Sequence, residues 1–197
     1  EGSFCWVLPT IAAGLCRPET FAFWGGVAAF MLLIAIIESS VKMAFNDELT
    51  GLPARRAMNE SLLKLGRRYV VAMVDIDHFK KVNDNFGHAK GDEIIKLLAE
   101  ILKSNTRTED LVGRYGGEEF AVVLFNTQPH DALIVADRVR ETLSDVPIQF
   151  GDQTFQITMS LGIATMYPDD ALSREELIDL ADKALYRAKS AGRNCCR

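Results

Sequence analysis

The stretch Val112 to Phe125, reading Val-Gly-Arg-Tyr-Gly-Gly-Glu-Glu-Phe-Ala-Val-Val-Leu-Phe, constrains the fold more than any other part of the chain. Two glycines separate an apolar approach from a strongly apolar exit, which predicts a hairpin turn joining two strands. Gly116 and Gly117 lack a Cβ, so the backbone can turn tightly there and a flat ligand can approach it closely. Glu118 and Glu119 follow at the mouth of a strand that otherwise reads as core. A turn has no need of two acids at that point, and surface charge is the ordinary alternative. A second acidic strand end, Asp75-Ile76-Asp77, stands upstream and would converge with the first if the two strands are neighbours.

At 197 residues the chain can hold one domain of ordinary size with a proper core, plus a short additional segment. A formal net charge of −5, with 25% of residues charged, argues against a nucleic-acid-binding surface, which is normally basic. It suits a site that gathers carboxylates around cations. Cys5, Cys16, Cys195 and Cys196 all lie outside the central region and show no zinc-ligand spacing, so they read as incidental. The first residue is not Met, and the expectation is a piece of a longer protein.

Residues 1–45 differ in composition from all that follows. Phe21 to Ile37 carries no charge and is dense in Phe, Ala, Leu and Ile. Phe4 to Cys16 is also uncharged, and Arg17-Pro18-Glu19-Thr20 is a turn-like break between the two. A membrane-spanning helix needs about 20 apolar residues, and roughly 17 at the least. The second run just reaches that limit and the first falls short. No basic leader or cleavage pattern accompanies them, which argues against a secretory signal. The expectation is a membrane anchor with Trp24 and Lys42 near its interfaces and a cytoplasmic C-terminal side. A buried or dimerising helix of a soluble sensor is the alternative.

Residues 46–197 form the expected catalytic domain. Gly51 and Pro53 mark a break, with Pro53 suited to the first turn of a helix over about 53–65 that stops at Gly66. Tyr69 to Asp75 is a continuous apolar run, as for a strand buried on both faces. Its end places Asp75 and Asp77 where α/β folds commonly do ligand chemistry. Phe79 to Gly91 reads as a polar, glycine-bearing segment. Asp92 then caps or opens an amphipathic helix to about Lys103, with Ile94, Ile95, Leu97, Leu98, Ile101 and Leu102 on its buried face. Beyond the hairpin come a helix over Asp131 to Leu143, a strand over Thr154 to Thr165, and a helix over Arg174 to Ala191 closed by Gly192. This order predicts an α/β (α+β) fold with helices packed on a mixed sheet.

Asp75 and one of Glu118 or Glu119 would make a two-strand carboxylate cluster, which repels itself unless a cation fills the gap. Hard oxygen donors with little His or Cys nearby select Mg²⁺ or Mn²⁺. Mg²⁺ is typically held by one or two carboxylates together with substrate phosphates, so the implied substrate is a nucleoside triphosphate. Two such ions about 3.5–4 Å apart suit phosphoryl chemistry. Lys80, Lys189 and Arg193 are candidate phosphate contacts. Asn83 and Asp92 are of the kind that reads a purine edge, since an Asp can accept from guanine N1–H and N2–H together. A turn role for Asn83 and a capping role for Asp92 are the ordinary alternatives.

Several separate segments together resemble one family, the GGDEF-domain diguanylate cyclases, which condense two GTP into cyclic di-GMP. The signature reads Gly116-Gly-Glu-Glu-Phe120, a GGEEF variant, and Asp47-Glu-Leu-Thr-Gly-Leu52 precedes it. Asp75-Ile-Asp-His-Phe-Lys80, Asn83-Asp84, Phe86-Gly-His88 and Gly91-Asp92 follow in the family's order, as do Ala181 to Lys189 and Gly192-Arg193-Asn194. The match covers about residues 46–194 and departs at Ala54, where the family usually has Asn.

The resemblance implies a mixed, mostly antiparallel sheet flanked by helices, like that of nucleotidyl cyclases and polymerase palms. It implies Asp75, the Ile76 carbonyl and Glu118 as ligands of two Mg²⁺ or Mn²⁺ per active site, with Glu119 beside them sharing metal binding and counted with Glu118 in the catalytic pair. Glu118 would also help deprotonate the attacking 3′-OH. Asn83 and Asp92 would read guanine, Lys80, Lys189 and Arg193 would contact phosphates, and Asp77 would be structural. Two domains must face each other, so a homodimer is implied. Arg107-Thr-Glu-Asp110 resembles the family's inhibitory product site, with Arg138 completing it from a neighbouring domain. On spacing alone Arg107 and Asp110 read as a surface ion pair. A catalytically inactive module that binds GTP or cyclic di-GMP is the rival reading, and such modules usually have eroded signature acids.

Overall fold

The computed structural model describes residues 18–64, 68–167 and 172–197. The uncharged run over 4–16 with Cys5 and Cys16, and the expected helix stop at Gly66, lie outside the described residues. The chain divides into two compact units, residues 1–43 and 44–197.

A helix of 28 residues, α1 (Pro18–Phe45), carries the apolar run. Its segment Thr20–Val41, 22 residues with a mean hydropathy of 2.2, is long and apolar enough to cross a membrane by length and composition. Phe21, Trp24, Phe30, Leu33 and Ile37 all stand exposed. The apolar surface of this helix is thus not part of a core formed by the described residues.

The second unit is built on β1 (Tyr69–Ile76), whose eight residues are all buried. Alternation explains why the run is apolar throughout. Val70, Ala72, Val74 and Ile76 enter one core cluster, and Tyr69, Val71 and Met73 enter another on the opposite face. The strand pairs antiparallel with β3 (Glu119–Phe125) on one side and β6 (Met159–Met166) on the other, and β2 (Leu111–Arg114) pairs antiparallel with β3. The resulting order is β2-β3-β1-β6. The last residues extend this sheet alongside β6, where Leu161 N–H donates to the Cys195 carbonyl at 3.1 Å and Ile163 N–H to that of Arg197 at 2.7 Å. The Cys196 thiol sits under this lane, pushed up to about 12 by burial and by the Asp137 carboxylate.

One core cluster is filled by α3 (Phe79–Phe86), α4 (His88–Asn105) and α5 (Pro129–Asp145), the other by α2 (Arg55–Leu63) and α6 (Arg174–Ser190). Fully burying a Leu, Ile or Val side chain contributes about 1.5–3 kcal/mol, so these two layers dominate the stability. Helix α6 lies unusually close to the sheet. A Cβ on Gly162 of β6 would collide with the Leu185 amide and the Ala181 carbonyl, so glycine permits direct backbone packing there. A capping box between Ser173 and Glu176 starts α6.

Three expectations need correction. The polar stretch after β1 is helical: α3 and α4 meet at Gly87, whose φ of 81° breaks the chain between them. Asp92 therefore lies a full turn inside α4 and neither caps nor opens it. Pro53 lies before α2 rather than in its first turn, and Ala54 is the N-cap, with no side-chain hydrogen bond. The strand expected over Thr154 to Thr165 is two elements, because β4 (Ile148–Phe150) and β5 (Gln153–Phe155) form a separate hairpin around Gly151.

Candidate active site

Asp75, one residue from the end of β1, is the register partner of Glu119 at the start of β3. The two acidic strand ends are thus neighbours, and Glu118 stands one residue before Glu119 in the turn. Asp75 is almost fully buried, and Lys189 from the last turn of α6 donates to its Oδ2 at 2.8 Å. Burial pushes the Asp75 carboxyl above its usual range against the pull of Lys189, with nearby Asp77 adding to the rise. Burial also raises Glu118, and the charges of Asp75 and Glu119 raise it further. A strand end holding mutually repelling carboxylates against one ammonium is a site short of positive charge.

The turn is held differently from a simple two-glycine hairpin. Neither Gly116 nor Gly117 has a positive φ. Glycine at 116 instead makes room for the folded-back Glu119 side chain, whose Oε2 would lie 2.5 Å from a Cβ there. A Cβ on Gly117 would meet nothing within 4 Å, so that side of the turn is open. The Glu119 carbonyl accepts from Tyr115 N–H at 2.8 Å and Gly116 N–H at 3.1 Å.

Arg114, which residue patterns did not single out, braces this turn. Its Nε and Nη2 donate to the Gly117 carbonyl at 3.2 and 2.6 Å, while Nη1 donates to Asp47 Oδ2 at 2.9 Å. Asp47 also accepts from the Thr50 amide and hydroxyl. Partial burial raises the Asp47 carboxyl, but the bonds from Thr50 and the Arg114 charge outweigh it and leave the group below its ordinary value. The only sequence signal was an Arg at the end of an apolar strand beside the turn.

Asp77, two residues beyond Asp75, is buried and fully used. Its Oδ1 accepts from Ser160 Oγ at 2.7 Å, and its Oδ2 from Thr158 Oγ1 at 2.7 Å and Asn194 N–H at 3.0 Å. The carboxylate fastens the end of β1 to the turn that carries Arg193, whose φ is 66°. Arg140 on α5 secures the same turn by donating to Asn194 Oδ1 at 3.1 Å.

Asn83 lies on α3 facing the first turns of α4. Its Oδ1 is buried and, among the described residues, has no hydrogen-bond partner. A buried acceptor without a donor costs about 1–3 kcal/mol, a cost that a donor supplied to Oδ1 would relieve. Asp92 is exposed on the neighbouring helix, and Lys80 and Arg193 are exposed as well. The exposed Arg107 and the half-buried Asp110 line a cleft with Gly51, Pro53, Lys103 and Thr106. The expected ion pair is replaced by a turn: Asp110 accepts from the backbone amides of Arg107 and Phe125 at 2.9 and 3.1 Å. Arg138 donates to the Asn105 carbonyl at 2.7 Å within the same chain.

Among the described residues, no three His, Cys, Asp or Glu side chains converge tightly enough to form a metal cage by themselves. Asp75, Glu118 and the Ile76 carbonyl nevertheless suit a hard divalent cation. All three are oxygen donors, both carboxyls are raised by burial and by neighbouring acids, and the Lys189 ammonium already stands on Asp75 as a substitute cation.

The family described as "Diguanylate cyclase, GGDEF domain" matches residues 44–195. Diguanylate cyclase DgcP of Pseudomonas aeruginosa is 39% identical over 165 residues, covering 80% of this chain and 24% of that protein. Response regulator PleD of Caulobacter vibrioides is 40% identical over 168 residues, covering 80% of this chain and 37% of that protein. The chain therefore spans well under half the length of these relatives. The solved coiled coil and GGDEF domain of DgcB from Caulobacter crescentus, in complex with c-di-GMP, superposes with a TM-score of 0.79 at 26% identity, covering 91% of this chain and 98% of that one.

Proposed function

Since the chain belongs to the GGDEF-domain diguanylate cyclase family, we propose that it condenses two GTP into cyclic di-GMP with release of two pyrophosphates. What carries this reading is the pairing of Asp75 with Glu119, together with Lys189 at 2.8 Å from Asp75. Asn83 and Asp92 hold the guanine, and Lys80, Lys189 and Arg193 contact the phosphates. Asp75, the Ile76 carbonyl and Glu118 would hold two Mg²⁺ or Mn²⁺, with Glu119 beside them sharing in the metal site. The ions, when bound, polarise the α-phosphate and neutralise charge on the attacking and leaving oxygens. Glu118, raised by burial and by the charges of Asp75 and Glu119, is the group that would help take the proton of the attacking 3′-OH. Lys189, which pairs with Asp75 at 2.8 Å in this structure, would be free for the triphosphate if a cation took its place on that carboxylate.

Each domain presents one such face, so two GTP-loaded copies meet and each 3′-OH attacks the other's α-phosphate. The homodimer is part of the proposal, as is a cytoplasmic catalytic domain tethered to a membrane through Thr20–Val41. Product inhibition is the third part, with cyclic di-GMP at Arg107 and Asp110 and with Arg138 from a neighbouring domain. Arg138 must then release the Asn105 carbonyl, and exposed Arg107 is free to grip phosphate or guanine bidentately. Incubation with GTP and Mg²⁺, with products identified by mass, tests the main claim. Cyclic di-GMP is the expected product, and GTP bound without turnover would favour the inactive-module reading. Arg107→Ala should keep the initial rate and remove the flattening of progress curves as product accumulates. Curves that flatten like those of the wild type would place feedback elsewhere.

A further inference from the structure

The position of the unpartnered Asn83 acceptor is set by the residue opposite it. A Cβ built on Gly91 of α4 would run into Asn83 Oδ1, and would stand 3.1 Å from its Cγ and 3.0 Å from Phe79 Cζ. Gly91 is buried inside a helix and has no positive φ, so backbone freedom is not what it supplies. Glycine within a helix is destabilising relative to alanine. The chain accepts that penalty at a point where the gained space is filled mainly by the end of the Asn83 amide.

Guanine presents N1–H and both N2–H along one edge. A single carboxylate at Asp92, next in sequence to Gly91, accepts N1–H and the nearer N2–H side by side. The outer N2–H then needs another acceptor. We propose that Gly91 is a specificity-determining residue, whose missing side chain seats the Asn83 amide so that Oδ1 receives that outer N2–H. This rests on the guanine reading above and adds to it the residue that places the acceptor. Because the obstructed atom is the end of a movable side chain, an alanine at 91 pushes the amide aside and leaves the helices in place.

The test is calorimetric titration of the full chain in detergent micelles with the α,β-methylene analogues of GTP and ITP, which differ only in the 2-amino group, alongside thermal unfolding. Gly91→Ala should lower affinity for the GTP analogue about tenfold, leave the ITP analogue within about twofold, and not lower the Tm. Asn83→Ala should lose the same selectivity, and combining the two should cost nothing further. If Gly91→Ala keeps the GTP-over-ITP ratio while Asn83→Ala loses it, the role of Gly91 is overturned and the guanine site stands. If Asn83→Ala also keeps the ratio, the guanine reading falls with it. Should Gly91→Ala fail to fold, the double variant decides. Folding restored by removing Asn83 supports the clash with that amide, and folding not restored assigns Gly91 to packing against Phe79 and overturns the proposal.

Discussion

Two corners of this domain handle buried polar atoms in opposite ways. Around Asp77 the carboxylate accepts from Thr158, Ser160 and Asn194, so both of its oxygens are engaged within the fold. Around Asn83 a buried acceptor has no partner among the described residues. At Asp75, two residues from Asp77, the side-chain partner among the described residues is the Lys189 ammonium at 2.8 Å. Satisfied polar groups hold the fold together, whereas groups held short of partners or counter-charge are the ones that the proposed function assigns to substrate and cation. Type and burial do not separate Asp75 from Asp77; their partners do.

The largest effect should come from the reserved group. Glu118→Gln keeps the volume and removes the charge, so cyclic di-GMP formation should fall by about three orders of magnitude with an unchanged Tm. Wild-type turnover in that variant would remove Glu118 from the chemistry. Asp77→Ala should do the reverse in kind, stranding two hydroxyls and an amide at a cost of about 3 kcal/mol in urea unfolding. A loss within experimental error there would break the comparison.

The pH dependence sharpens the contrast between Asp75 and the bracing Asp47. Burial raises Asp75 in the folded state, so the wild type loses stability relative to Asp75→Asn as pH climbs from the unfolded value of 3.8 through the raised folded one. Asp47 is lowered, so its contribution is present above 3.8 and is lost as pH falls through its folded value. Unfolding curves of the two Asn variants should therefore separate from the wild type in opposite directions between acid and neutral pH. Parallel trends would mean that the two carboxylates do the same job. The smallest effect belongs to the uncapped helix: Ala54→Asn should stabilise the domain by about 1 kcal/mol, read as a higher urea midpoint.

Much of this was legible in the residues because the signals were long or local. Tyr69 to Asp75 is apolar at every position because both faces of β1 are covered, and the acidic ends declared themselves by standing next to such runs. Helix α3 escaped because its eight residues give only about two turns, with Phe79 and Val82 as its buried residues among Lys, Asn and Asp. The β4–β5 hairpin escaped because each strand is three residues long and mostly exposed. The glycines of the signature were legible as a turn between two strands, but the space that Gly116 leaves for the Glu119 side chain was not, since it depends on where that side chain folds. Arg114 was missed because its partners Asp47 and Gly117 come together only in the fold.

The central claim, that Asp75 and Glu118 are reserved for a cation while Asp77 is not, is tested most directly by Mn²⁺ titration. The full chain would be followed by electron paramagnetic resonance in the presence of the α,β-methylene GTP analogue. Asp75→Asn and Glu118→Gln should each weaken Mn²⁺ binding at least tenfold, and Asp77→Asn should leave it within about twofold of the wild type. Equal weakening by Asp75→Asn and Asp77→Asn, or none by either Asp75→Asn or Glu118→Gln, would contradict the account.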